Sequence, residues 1–307
     1  MKRLYHVLLV FLLSSCIGDD VDFRNKGIHS DIGIYLVKEG KLEPPVTTVD
    51  LELLELENEA WLSETEIKFY DWSSHIFYLT TEKEKEKHSG RYFVLKAEGE
   101  PLFLGLFFPI YSSAMPQFPS IIAHDDFFYP TDVIALSGYG FYETTTSFDK
   151  DHKFRAAMEK SGLLREGIAV ELTGLDRVNA STLKYTFTVT NLDSENIYVL
   201  DPERMGSSRF HYYTNGVYLT QNKSYWWAEN INATPSEKIA PNWFYKLSPG
   251  RSITRTVQLD GYSSLPSGAV NASFTFPGAR VNKGEWQKND GRIWLGSFRV
   301  ETELDLQ

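Results

Sequence analysis

The chain of 307 residues holds a single cysteine, Cys16. No intramolecular disulfide can form, so a chain exported to an oxidising compartment has to be held together by its core alone. A basic surplus is missing too: 31 Lys and Arg face 41 Asp and Glu, a formal net charge of −10. Phosphate backbones are held by basic faces, so this balance argues against nucleic acid as a partner. The longest apolar run, Leu4 to Leu13, is about ten residues, half of the roughly 20 that a membrane-spanning helix needs. Glycine-rich phosphate loops, His-Glu-x-x-His and paired-cysteine metal motifs are all lacking, so no cofactor and no metal site is assigned.

What is present is apolar enough to fold. Hydrophobic residues make up 42 % of the chain and aromatics 14 %, which sets it apart from disordered sequences. The length accommodates two domains of ordinary size. At the N-terminus Lys2 and Arg3 precede the apolar run, and Leu13-Ser14-Ser15-Cys16 closes it. A positive end, a short apolar stretch and small residues make a secretion signal. This block resembles a bacterial lipoprotein signal peptide, in which small residues precede a cysteine that is lipidated at its thiol and begins the mature chain. The resemblance implies lipidation at Cys16, loss of residues 1–15 and attachment to a membrane through the acyl chains, with the protein in the bacterial cell envelope. Ile17 follows Cys16 where an inner-membrane retention signal would carry aspartate, so the outer membrane is the expected address. Gly18-Asp19-Asp20 resembles the acidic export tag of surface lipoproteins in the Bacteroidetes, and is read equally well as a solvated tether; periplasmic face and cell surface both stay open.

The remaining chain reads as mainly β, or α+β. Residues 16–31 form the lipidated acidic tether, 32–150 a β-rich N-terminal domain, 151–166 a helical connector and 167–307 an antiparallel β-sandwich. In the N-terminal part Ile32 to Val37, Ile76 to Leu79, Arg91 to Leu95 and Leu102 to Phe108 are strand-like, and the continuous apolar run of Leu102 to Phe108 implies burial on both faces. Val49 to Leu56 fits a bulged strand or a short helix. Glu82 to Lys87 alternates in sign and reads as an exposed hairpin loop or short solvated helix. Lys153 to Leu164 carries Phe154, Ala157, Met158 and Leu164 at helical spacing. From residue 167 the alternation is cleaner: in Leu183 to Thr190 every odd position is apolar and every even one polar. Asn215-Gly216 between Phe210-His211-Tyr212-Tyr213 and Val217-Tyr218-Leu219 predicts a type I′ hairpin. Strand-length segments near 168, 183, 197, 210, 217, 253, 270 and 293, with the Asn191-Leu192-Asp193 and Leu247-Ser248-Pro249-Gly250 turns, resemble the immunoglobulin-like modules of bacterial surface proteins. The Cys, Trp, Cys signature of true immunoglobulin domains is absent.

Three constellations could carry chemistry. Asp71-Trp72-Ser73-Ser74-His75 holds a carboxylate, a hydroxyl and an imidazole. In an extended strand Asp71, Ser73 and His75 share a face about 6–7 Å apart, too far to hydrogen-bond, so the bland reading is turn and strand residues serving the backbone. In His124-Asp125-Asp126 only His124 and Asp126 could converge on one ion, and a third ligand would have to come from His75, His152 or His211. Tyr111 to Pro130, which contains this trio, is the expected functional loop of the N-terminal part. The third constellation is aromatic: Tyr225-Trp226-Trp227 and Trp243-Phe244-Tyr245 flank the stretch 229–242. Exposed rings there would stack on sugar faces, with Asn230, Asn232 and Asn242 as hydrogen-bonding neighbours; buried rings would fill a core or domain interface.

The function expected from these features is a lipid-anchored, non-enzymatic binding or assembly module for a glycan or an envelope protein, using Tyr225, Trp226, Trp227, Trp243 and Tyr245. The alternatives are an envelope-polymer hydrolase built on Asp71, His75, His124 and Asp126, and a structural subunit of an envelope complex. Mass spectrometry of the native product tests the address: Cys16 should be the first residue and its sulfur acylated. A bare thiol, or residues 1–15 still attached, would refute it.

Overall fold

The computed structural model describes residues 31–42, 49–112, 118–125, 128–136, 152–214, 216–229 and 239–307. Residues 1–30, which hold Cys16 and all of the tether but its last residue, and Asp126 lie outside them. In chain order the first part holds strands β1 Gly33–Leu36, β2 Leu62–Ser63, β3 Ile67–Asp71, β4 Ile76–Leu79, β5 Tyr92–Ala97, β6 Glu100–Phe108, β7 Ser120–Ile122 and β8 Val133–Ala135. Helix α1, His152–Lys160, and β9, Leu164–Arg165, lead into β10 Ile168–Asn179, β11 Thr182–Asn191 and β12 Asn196–Leu200. Helices α2, Pro202–Met205, and α3, Ser207–Thr214, precede β13 Val217–Gln221, β14 Ser224–Trp226, β15 Phe244–Leu247, β16 Ser252–Asp260, β17 Gly268–Pro277, β18 Gln287–Lys288, β19 Gly291–Ile293 and β20 Ser297–Leu306. The protein is β-rich and sandwich-like, as its alternation predicts.

The sandwich follows from period-two patterning. Leu183, Tyr185, Phe187 and Val189 of β11 are buried and face one way, while Thr186, Thr188 and Thr190 face out and pair hydroxyl to hydroxyl with Thr256, Thr254 and Ser252 of β16 at 2.8–2.9 Å. This layer, β10-β11-β16, lies opposite the layer β14-β13-β17-β20. The inward rings meet across the gap, with Tyr185 and Phe187 centred 5.4 and 5.1 Å from Phe274 of β17. Edge and offset ring contacts of this kind suit aromatic quadrupoles and add to the burial of their apolar area.

A smaller sheet, β8-β4-β3-β9, is buried on both sides. Tyr70, Phe77, Leu79 and Ile134 join the core beneath the β2-β1-β5-β6-β7 sheet, together with Phe154, Ala157 and Met158 of α1. Their alternate neighbours Phe69, Ile76, Tyr78 and Val133 belong instead to the core of the sandwich. This sheet is thus shared by two cores, which is why Ile76–Leu79 is apolar at every position.

Polar links cross the same seam. Arg292 of β19, 1 % exposed, lies between Asp71 at the end of β3 and Asp193 in the turn after β11, both buried. Its Nη2 donates to Asp71 at 2.5 Å and its Nη1 to Asp193, with its guanidinium 5.2 Å from the Phe69 ring centre. Each carboxylate has further donors: Ser73 Oγ and the Ser74 amide for Asp71, and the Ser194 amide for Asp193. Gly167 has a φ of +77°, and a Cβ there would overlap Asp71 and Ser73, so the chain passes this cluster only as glycine. In a separate link Asp132, just before β8, accepts from the Trp286 indole at 2.9 Å and the Gly284 amide at 3.1 Å.

Local expectations fail at two places. Phe210 to Tyr213 is helical rather than a strand: α2 is capped by the Asp201 side chain with Pro202 at its start, and α3 buries Phe210, His211 and Thr214 on one side. Gly216, with φ +74°, follows that helix instead of turning a hairpin. The hairpin forms one strand later, between β13 and β14, where Asn222 and Lys223 are both left-handed (φ 50° and 67°). The Glu82 to Lys87 segment does not close a hairpin either, since β4 and β5 belong to different sheets. Nor is it wholly solvated: Lys85 is 3 % exposed, its ammonium 3.3–3.5 Å from the carbonyls of Tyr129, Pro130 and Val133. The open alternative for Val49 to Leu56 resolves as a 3₁₀ turn at Leu51–Leu53.

Removing Arg292 would leave two buried carboxylates facing each other without their common cation. Arg292→Ala is therefore expected to destabilise the fold by about 3–5 kcal/mol, measured by urea denaturation. A loss under about 1 kcal/mol would show that the cluster is not what joins the two cores.

Candidate functional site

The catalytic candidates are occupied by structural duties. Asp71 is fully buried and bound by Arg292, and Ser73 donates its hydroxyl proton to Asp71 at 2.7 Å while accepting from the Trp294 indole at 3.1 Å. His75, at φ 55°, places Nδ1 2.9 Å from the Tyr70 hydroxyl. The Asp71, Ser73 and His75 set thus contains no hydroxyl aligned on the imidazole, as a nucleophile and its base would require. His124 is half-buried and its Nδ1 donates to the Asp125 carbonyl at 2.7 Å. Asp126 is outside the described residues, among which no three His, Cys, Asp or Glu side chains gather as a metal-binding group.

One histidine that sequence reading placed only as a distant ligand is an internal part. His211 Nε2 lies 3.2 Å from the Gln258 carbonyl and Nδ1 3.4 Å from the Tyr185 hydroxyl, an arrangement suited to the neutral ring. Burial holds its pKa below the usual 6.5, outweighing the opposing pull of the Gln258 carbonyl and Asp260. The Tyr185 hydroxyl, buried beside it, is pushed upward.

The aromatic candidates divide between interior and surface. Trp243 is buried and has the Arg209 guanidinium 5.4 Å from its ring centre. Tyr245 is half-buried, with Arg204 and Arg255 each 5.3 Å away, and Arg255 is itself held by Asp201 through two bonds of 2.8 and 3.0 Å. Trp226 turns inward against the sandwich core. By contrast Tyr225 is 67 % exposed and Trp227 49 % exposed. This in-and-out order is the pleat of β14, which the Asn222-Lys223 turn sets in register with β13 (Leu219↔Trp226, Thr220↔Tyr225).

Trp227 follows the last paired residue of β14, Trp226, and Tyr218, which is 45 % exposed, precedes that residue's partner Leu219 on β13. Tyr218 is the ring that sequence reading missed, although its outward position follows from the alternation Val217, Tyr218, Leu219, Thr220. Next inward on the same face come Asn271 and Ser273 of β17, opposite Thr220 and Tyr218. The result is an outer strip of three rings beside a row of hydroxyl and amide groups, at the free edge of a sheet whose other face is core.

A second feature lies between the two expected functional loops. Phe128, Tyr129 and Pro130 end the Tyr111 to Pro130 connection, and Ile239 and Pro241 end the 229–242 stretch; they border a groove of about 820 Å³ whose far wall is residues 280–288. An adjoining groove of about 560 Å³ shares Phe128, Tyr129, Ile239 and Arg280 and continues past Tyr212 and Tyr213. Burial raises the Tyr129 hydroxyl to about 12 despite the nearby Arg280 charge. At the junction the Arg280 guanidinium sits 5.2 Å from the centre of the Phe128 ring.

No protein-family model matches the chain, and no curated protein matches it. Among solved structures it is similar to a β-glucosidase from Kluyveromyces marxianus in complex with glucose, at 12 % identity over 46 % of this chain and 15 % of that one, with a TM-score of 0.19. Overlap that loose carries no argument about fold or activity.

The depressed pKa of His211 fixes a direction of pH dependence. The unfolded chain takes up a proton near pH 6.5 that the folded one refuses, so stability is complete above that pH and falls as pH drops below it, levelling off once the folded ring titrates. His88, lowered mainly by burial, adds a slope of the same sign. Denaturation between pH 7 and pH 5 should therefore show a smaller fall for His211→Gln than for the wild type. An identical slope in both would show that His211 does not carry this effect.

Proposed function

We propose that the protein is a non-enzymatic binding module held on a bacterial envelope membrane by acyl chains on Cys16, and that it binds a neutral glycan on the strip formed by Tyr218, Tyr225 and Trp227. The signal-like N-terminus supports the address. The observation that carries the binding reading is the exposure of Tyr225 on a three-residue edge strand and of Trp227 directly after it, with the intervening Trp226 packed inward. Apolar ring faces pair with the C–H faces of sugars, and the adjacent Thr220, Asn271 and Ser273 supply donors and acceptors for hydroxyls. A tether between lipid and fold would keep that strip clear of the headgroups.

Against neutral plant and microbial oligosaccharides on an array, the soluble form beginning after Cys16 should retain a defined subset. Trp227→Ala and Tyr225→Ala should each weaken the best of these in calorimetry by about two- to twelve-fold, corresponding to about 0.5–1.5 kcal/mol per ring contact. Binding unchanged in the double variant would overturn the assignment of the strip.

A further inference from the structure

The groove beside Phe128 differs in charge from the rest of this acidic protein. Among the described side chains that border it, Arg280, Lys283 and Lys288 are cationic and Glu285 is the one anionic group. Glu285 is turned onto Asn282, accepting from its amide nitrogen and its side chain at 2.9 Å each. Lys283 is paired with Glu82. Arg280 and Lys288 have no carboxylate partner among the described residues.

Arg280 is also held in place. Its guanidinium lies over the face of Phe128, an arrangement that orients the planar fork while leaving its N–H groups without a protein acceptor among the described residues. A guanidinium fixed in this way, with no acceptor among the described residues, is prepared for a bidentate contact with a planar carboxylate. It stands where the two grooves meet, so a ligand running along both would pass it. The walls on either side mix rings, Tyr129 and Tyr212, with neutral polar side chains, Asn282 and Gln287. A chain of sugar rings needs both.

From this geometry we infer that the paired grooves are a second glycan site, for a carboxylate-bearing saccharide of the uronate type, with Arg280 gripping the carboxylate and Lys288 adding long-range attraction. The inference deepens the glycan-binding reading and rests on it for the ligand class, but it uses different residues. An acidic sugar reaching a protein of net charge −10 meets general repulsion, so a local cation without a counter-ion among the described residues is what would make such binding feasible.

Affinity electrophoresis and calorimetry with polygalacturonate, a neutral galactan and polyglutamate distinguish the outcomes. Wild type should bind polygalacturonate more weakly as salt rises, and Arg280→Ala should lose at least tenfold while binding any neutral glycan normally. Arg280→Lys, which keeps the charge but not the fork, should recover only part of the loss. The Trp227→Ala, Tyr225→Ala double variant should retain polygalacturonate. Equal binding of polygalacturonate by wild type and Arg280→Ala would overturn the site, as would no binding at all. Equal binding of polyglutamate would overturn the saccharide assignment. Loss of neutral-glycan binding as the sole failure would count against the edge strip and leave this groove standing.

Discussion

Arg292 sits where the two cores touch, and its charge can be there only because Asp71 and Asp193 come from opposite sides to meet it. An ionised guanidinium taken out of water costs several kcal/mol, and one carboxylate at close range only partly offsets that. Two carboxylates, each with amide or hydroxyl donors of its own, and a ring face below make the cluster tolerable. Burial alone would lower the Arg292 pKa, but the negative charges of Asp71 and Asp193 and the hydrogen bond to Asp71 outweigh it and push the value upward. The same arrangement is geometrically demanding. It requires the end of β3, the turn after β11 and the start of β19 to arrive together, which fixes how the sheet shared by the two cores lies on the sandwich.

That fixed seam is what shapes the surface. The loops leaving the shared sheet end at Phe128 to Pro130, and residues 280–288 are held against it by Asp132 through Trp286 and Gly284. Trp286 also packs on Tyr78 and Phe69, with ring centres 4.6 and 5.9 Å away, and the Lys68 ammonium lies 5.1 Å from its own ring centre. The groove walls are therefore outgrowths of buried contacts. Pre-set walls of this kind reduce the ordering cost that a flexible binding loop would bring.

Much of the fold was legible because period-two alternation is a direct consequence of a half-buried strand. Leu183 to Thr190 and Val270 to Phe276 could be placed on faces from their residues alone. The helix over Phe154, Ala157 and Met158 was equally plain. Phe210 to Tyr213 misled because aromatic residues favour strands, whereas the deciding signal, the Asp201-Pro202 cap, lay eight residues upstream and acted on a different helix. Lys85 could not be read as buried, since the carbonyls around it come from residues more than forty positions away. Asp71 invited a catalytic reading for a related reason: its partner Arg292 is 221 residues distant, and nothing local distinguishes a carboxylate that anchors a core from one that moves protons.

The aromatic residues show why exposure, more than composition, marks the candidate site. Trp286 and Trp294 fill interior space and satisfy their indole N–H groups on Asp132 and Ser73, while Trp243 is buried beneath Arg209, so their presence is explained by packing. Tyr218, Tyr225 and Trp227 add little of this kind: more than two-fifths of each remains in water. Large exposed rings on a sheet edge carry a hazard, because such edges pair with other chains. Here the edge strand is only three residues long, and the left-handed Asn222-Lys223 turn closes it off at one end. A short edge limits backbone pairing but leaves the rings available to a flat apolar partner. The same logic applies to Phe128, whose half-exposed ring contributes little to the core yet orients Arg280. In both places it is the exposure of an aromatic side chain, rather than its place in the core, that sets it apart.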